Sequence, residues 1–193
     1  MRRAGPILAL SAAVAGCATH VPPASPQDAF FARLSGLCGK AFAGRLVTDD
    51  PADAGMAGKS MVMHVRDCSG DTIRIPFHVG DDRSRTWVVS RTATGLRLKH
   101  DHRHRDGSSD ALTLYGGDTV ALGTATAQSF PADAESIALF RREGRAVSVT
   151  NVWHIDLTPE RFDYALTRKD RHFRVAFDLT RPVPAPPPPW GAE

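Results

Sequence analysis

The 193-residue chain has only three cysteines, and no two are spaced as CxxC, which argues against a redox-active pair and a cysteine zinc site. It contains no Gly-x-Ser-x-Gly elbow, HExxH or phosphate loop, so the common hydrolase, metalloprotease and nucleotide signatures are missing. The apolar core near the start, residues 7–14, is too short to span a bilayer. Strong basicity is lacking too. The formal net charge is +3, and it falls to +1 once Arg2 and Arg3 are set aside. That leaves no basis for a nucleic-acid surface. Arginines far outnumber lysines but alternate with acids, as on solvated strand faces.

At the start, Arg2 and Arg3 precede the short apolar core, and Val14-Ala15-Gly16 lead into Cys17. This is the layout of a cleaved signal peptide. Small residues before a cysteine resemble the lipobox of bacterial lipoproteins. The resemblance implies removal of residues 1–16, acylation of Cys17 and a tether over 17–24. With Ala18 after the cysteine, it further implies the inner leaflet of the outer membrane, facing the periplasm. Cys38 and Cys68 remain, and an oxidising envelope makes them an expected disulfide, with free thiols as the alternative. The end, "RPVPAPPPPWGAE", is expected to be an extended, disordered tail over 182–193.

Residues 25–181 are enough for one domain, with no internal repeat. "SPQDAFFARLSGLCG" reads as a helix, capped by Ser25 and ended by Gly39, with Phe30, Leu34, Leu37 and Cys38 on one face. Thereafter the period is two. "TIRIPFHVG" and "HFRVAFDL" alternate cleanly, and similar patterns occur at "AFAGRLV", "MVMHVRDC", "TWVVSRT", "LRLKH", "ALTLYGG", "SIALFRR", "AVSVTNVWHIDL" and "FDYALTR". About ten strands joined by short turns predict a mainly β fold, an antiparallel up-and-down meander closing into a barrel with one N-terminal helix. A helix leading through a Gly-containing turn into a strand meander is similar to the calycin arrangement of lipocalins. The family's Gly-x-Trp is represented here by Gly39 and Phe42 at a different spacing. Arg174 stands for the arginine that packs across that tryptophan. The resemblance implies a cavity for a small apolar or amphipathic ligand.

In "LRLKHDHRH", alternation puts Leu96, Leu98, His100, His102 and His104 on one inward face. Imidazoles about 7 Å apart along a strand can converge on one ion, with Asp106 or Asp110 from the next loop as a further ligand. The alternative function is therefore a rim site for zinc, copper or iron. A solvated strand end and a pH-responsive rim are the other readings. Grouping His100, Ser108 and Asp110 as a triad has no independent support, and no catalytic residue is assigned. Trp87, Tyr115, Asn151 and Trp153 are the candidate pocket residues. Asn151, a lone amide in the expected inward series Val147, Val149, Asn151, Trp153, needs a hydrogen-bond partner. "YGGDT" is expected to be a bulge or tight bend at Gly116 and Gly117.

Overall fold

A computed structural model describes Met1 and residues 24–192. The leader, the acylation site Cys17 and most of the tether lie outside the described residues. Ser25 caps α1 (Pro26–Ser35), its Oγ accepting from the Asp28 amide at 3.0 Å, with Pro26 in the first turn where no amide is needed. Phe30, Phe31 and Leu34 are buried. The helix stops at Gly36, one turn earlier than Gly39 predicts, and Cys38 sits in the turn that follows. There it bonds to Cys68, the two Cα atoms 6.3 Å apart, so the expected disulfide is present.

The strands are β1 (Ala41–Leu46), β2 (Met61–His64), β3 (Asp67–Cys68), β4 (Thr72–Val79), β5 (Asp82–Thr92), β6 (Gly95–His102), β7 (Tyr115–Asp118), β8 (Ala127–Pro131), β9 (Val152–Leu157), β10 (Arg161–Arg168) and β11 (Arg171–Val183). They form one antiparallel sheet in the order β7-β6-β5-β4-β2-β1-β11-β10-β9-β8, with β3 paired to β4. The first and last long strands, β1 and β11, pair in the middle of the order, and the sheet curls into a nearly closed barrel. Alternation produces this shape. Ile73, Ile75 and Phe77 of β4, Val175 and Phe177 of β11, and Trp153, Ile155 and Leu157 of β9 are all buried together inside. Phe177 lies over Gly44, where a Cβ would come 2.4 Å from its ring and where the β1–β11 register shifts.

Tyr115–Asp118 of "YGGDT" form β7, which pairs with β6 in unbroken register rather than bulging, and it lies where the two ends of the sheet meet. The Ser136 Oγ accepts from the Gly116 amide at 2.7 Å and donates to the Gly116 carbonyl at 2.8 Å. The Asp133 amide reaches the same carbonyl at 3.0 Å. A Cβ on Gly117 would stand 1.7 Å from the Pro131 carbonyl oxygen, so only glycine lets the edges approach this closely.

Three expected elements differ. "SIALFRR" lies in a helix, α2 (Ala134–Arg142), because Asp133 caps it through Ser136 and its buried residues, Ser136 and Phe140, are four apart. In "AVSVTNVWHIDL" the strand begins only at Val152. Residues Ala146–Thr150 form a short helical turn that leaves Val147 67% exposed. In "ALTLYGG" only the end is strand, since Leu114 adopts a φ of 55° just before β7. The proline-rich end also departs from expectation: β11 runs on to Val183, and the residues beyond it lie against the barrel's outer surface. Arg83 donates to the Pro188 carbonyl at 2.8 Å, Trp190 N–H donates to the Arg83 carbonyl at 3.1 Å, and Arg66 donates to the Ala192 carbonyl at 3.1 Å.

Candidate functional site

β6 places Leu96, Leu98 and His100 inside, as alternation requires, and His100 pairs in register with Trp87 of β5 and Tyr115 of β7. His100 is buried, and both ring nitrogens are occupied. Nδ1 lies 3.1 Å from the Tyr115 carbonyl oxygen, which can only accept, so Nδ1 carries the proton. Nε2 then accepts from the Tyr164 hydroxyl at 2.6 Å. Burial, followed by the neighbouring His102, drives the His100 pKa down to about 3. His102 is also lowered, to about 4, by burial and then by Arg85. Burial raises the Tyr115 hydroxyl to about 12, so it stays protonated and donates to His102 Nε2 at 3.2 Å. Burial likewise raises Tyr164. The result is a chain of neutral hydrogen-bonded rings. Neither histidine is poised near neutrality for proton transfer.

The histidine series then breaks. β6 ends at His102, and His104 is exposed in the following turn. Asp106 faces that turn, accepting from the Ser108 amide at 2.9 Å and its hydroxyl at 2.6 Å. Among the described residues, no group of three or more His, Cys, Asp or Glu side chains is placed to hold a metal ion. Alternation predicts convergence only while the strand continues, and here it stops two residues short of His104.

The ring chain forms part of the wall of a cavity of about 460 Å³. That volume lies within the range of small-molecule sites. Trp87, Tyr115, Asn151 and Trp153 all line it. Tyr164, Phe140 and Phe173 line it as well, and the aromatic surfaces stack. Trp87 lies 4.3 Å from Tyr164 and 4.8 Å from Phe77 between ring centres, and His100 lies 4.7 Å from Tyr115. Comparisons of the chain with family models, curated proteins and solved structures find no match.

Charged residues gather at one end of this cavity. Arg171, beside the β10–β11 turn, binds Asp53 at 2.5 Å and Asp50 at 3.0 Å, pinning the segment after β1. Arg85 binds Asp82 at 2.5 Å. Arg168 donates to the Asn151 side-chain oxygen at 3.3 Å, which supplies the partner the buried amide needed. Asp110 lines the wall too, its Oδ1 accepting from the Leu112 amide at 2.8 Å. The other end of the barrel is covered by α1, which packs against β6, β8 and β9. Its Gln27 side chain bonds the β7–β8 loop, and its Asp28 pairs with Arg91 near the β5–β6 turn.

Sequence reasoning missed Phe140, because α2 was read as a strand. It also missed Tyr164, whose place in the alternating series Phe162, Tyr164, Leu166 was the available signal. Arg174 does not pack across an inner aromatic ring. It points outward and binds Asp163 at 2.8 Å, as Arg161 does at 2.7 Å.

Proposed function

We propose that the barrel holds a small apolar or amphipathic molecule, and that it does so as a lipid-anchored, lipocalin-like protein of the bacterial envelope with no catalytic role. The observation that carries the ligand reading is the cavity: aromatic faces line its body, while arginines and aspartates stand at its mouth. An apolar body against Trp87, Trp153, Tyr164 and Phe140, with a polar end toward Arg168 and Asp110, matches this distribution. The neutral histidine–tyrosine chain adds fixed dipoles without a charge to desolvate.

The anchor reading rests on Arg2, Arg3, the short apolar core and Cys17, and Ala18 after the cysteine favours the outer membrane with the barrel in the periplasm. The placement of α1 is compatible with it. The chain enters at the end covered by that helix and leaves the cavity mouth at the other end.

The ligand claim is tested with the uncharged fluorescent probe phenylnaphthylamine. Saturable binding at one site, competed by whatever small molecule an organic extract of the native protein yields, is the expected result. A cavity-filling Ser148→Trp change should weaken it at least about tenfold, since a filled site loses most of its apolar contact area. Absence of saturable binding for the neutral probe and for a panel of charged amphiphiles would remove the reading.

A further inference from the structure

The β7–β8 connection, residues 119–126, is built unlike the other turns. No Asp, Glu, Lys or Arg occurs between Asp118 and Asp133. Val120 and Leu122 are 83% and 64% exposed, two large apolar side chains pointing to solvent from one loop. The loop's backbone, by contrast, is tied inward. Gln27 of α1 donates to the Ala121 carbonyl at 3.1 Å and to the Thr119 hydroxyl at 2.9 Å. Gln128, itself buried, donates to the Leu122 carbonyl at 3.1 Å and the Thr124 carbonyl at 2.8 Å. The Thr124 amide reaches the Ala127 carbonyl at 2.9 Å. Leaving water costs a loop mainly through its unpaired peptide groups, and here protein donors already hold the carbonyls at its tip. Nearby, Arg91 with Asp28 and Arg97 with Asp118 are ion-paired, and Asp156 of β9 lies opposite Ala127 where the loop ends.

The loop is fixed by the second residue of α1, and α1 is where the chain enters the barrel. From Cys17 to Ser25 the chain reaches at most about 28 Å when fully extended. An acylated Cys17 would therefore hold this end of the barrel within that distance of the bilayer.

We propose that loop 119–126 seats Val120 and Leu122 in the headgroup region of the membrane, so that the α1 end faces the lipid and the cavity mouth faces away. This rests on the lipid-anchor reading above. A lipidated N-terminus fixes how far the barrel lies from the bilayer but not which way it faces, and an apolar contact beside the anchor sets that orientation. The cavity would then exchange its ligand with the aqueous compartment rather than directly with the bilayer.

The test uses the full chain produced in a bacterial host, extracted from membranes and returned to phosphatidylethanolamine–phosphatidylglycerol vesicles containing brominated lipid. An environment-sensitive dye is attached at Leu122→Cys, at Val120→Cys or, for reference, at Val147→Cys, which is exposed near the cavity mouth. Mass spectrometry reads the acylation of Cys17 in each preparation. The expected result is a blue shift and at least about twofold quenching at positions 122 and 120, with neither at 147. Acylated protein with all three dyes in water overturns the loop contact and leaves the anchor intact. Unmodified Cys17 in protein that stays out of the membrane fraction overturns the anchor, and this inference falls with it. All three positions are exposed, so the labels leave the core packing in place.

Discussion

Acidifying the protein from pH 7 to pH 5 should destabilise it by about 5–6 kcal/mol, and the source is three histidines whose pKa values burial lowers. His100 and His78 are 3% and 5% exposed, and burial is the first cause of their low pKa values, about 3 and about 4. Unfolded, each titrates near 6.5. As the pH falls below 6.5 the unfolded chain takes up protons that the folded chain refuses. Stability is therefore full above that value and is lost progressively toward the folded pKa. Over this window His100, His78 and His102, the last also lowered to about 4 by burial, each contribute about 2 kcal/mol. The carboxylates of Asp82, Asp101 and Asp133 are held below their ordinary value by hydrogen bonds and arginine or lysine partners, so their losses come at still lower pH. Urea unfolding followed by tryptophan fluorescence at pH 7, 6 and 5 measures the slope. His78→Leu isolates one contribution. The His78 Nε2 is buried with no partner, so an apolar replacement should cost little at pH 7 while removing about a third of the acid sensitivity. A wild-type change below about 1 kcal/mol, or an unaltered slope in His78→Leu, would refute the reasoning.

Replacing Cys38 and Cys68 by serine releases a loop closed across 30 residues and should cost about 3–4 kcal/mol in the same urea assay. Gly117→Ala would drive a methyl group into the Pro131 carbonyl at the seam and should cost more than about 3 kcal/mol. Amide exchange should accelerate first in β7 and β8. Truncation after Val183 should leave the barrel folded but uncover the face around Asp101, which is 4% exposed and binds Arg74 at 2.7 Å. A loss of about 1–3 kcal/mol and faster exchange over residues 101–107 are expected.

Much of the barrel was legible because half-buried antiparallel strands write their geometry directly into alternation. Ile73, Ile75 and Phe77, or Phe173, Val175 and Phe177, put one whole face of their strand inside. The helix α2 was hidden for a related reason. Nine residues can satisfy a period of two and a period near four at once, and only the Asp133 cap and the inward pair Ser136 and Phe140 separate them. The proline-rich end was misread because composition describes a chain without partners. Pro188, Trp190 and Ala192 find theirs in Arg83 and Arg66, more than a hundred residues away.

Local pattern alone determined the strand faces, the capped first helix, the availability of Cys38 and Cys68 for pairing, and the alternating entry of His100 into the interior. These depend on neighbours within a few residues, and the chain's own stereochemistry enforces them. Tertiary structure decided the rest. It brought the two edges of the sheet together at Gly116, Gly117 and Ser136, engaged both nitrogens of His100 with Tyr115 and Tyr164, and left a cavity of about 460 Å³ where side chains from β5, β6, β9 and β10 face one another. Such features arise from distances between segments far apart in the chain. A periodic pattern says which way a side chain points, and only the curled sheet decides what it meets there.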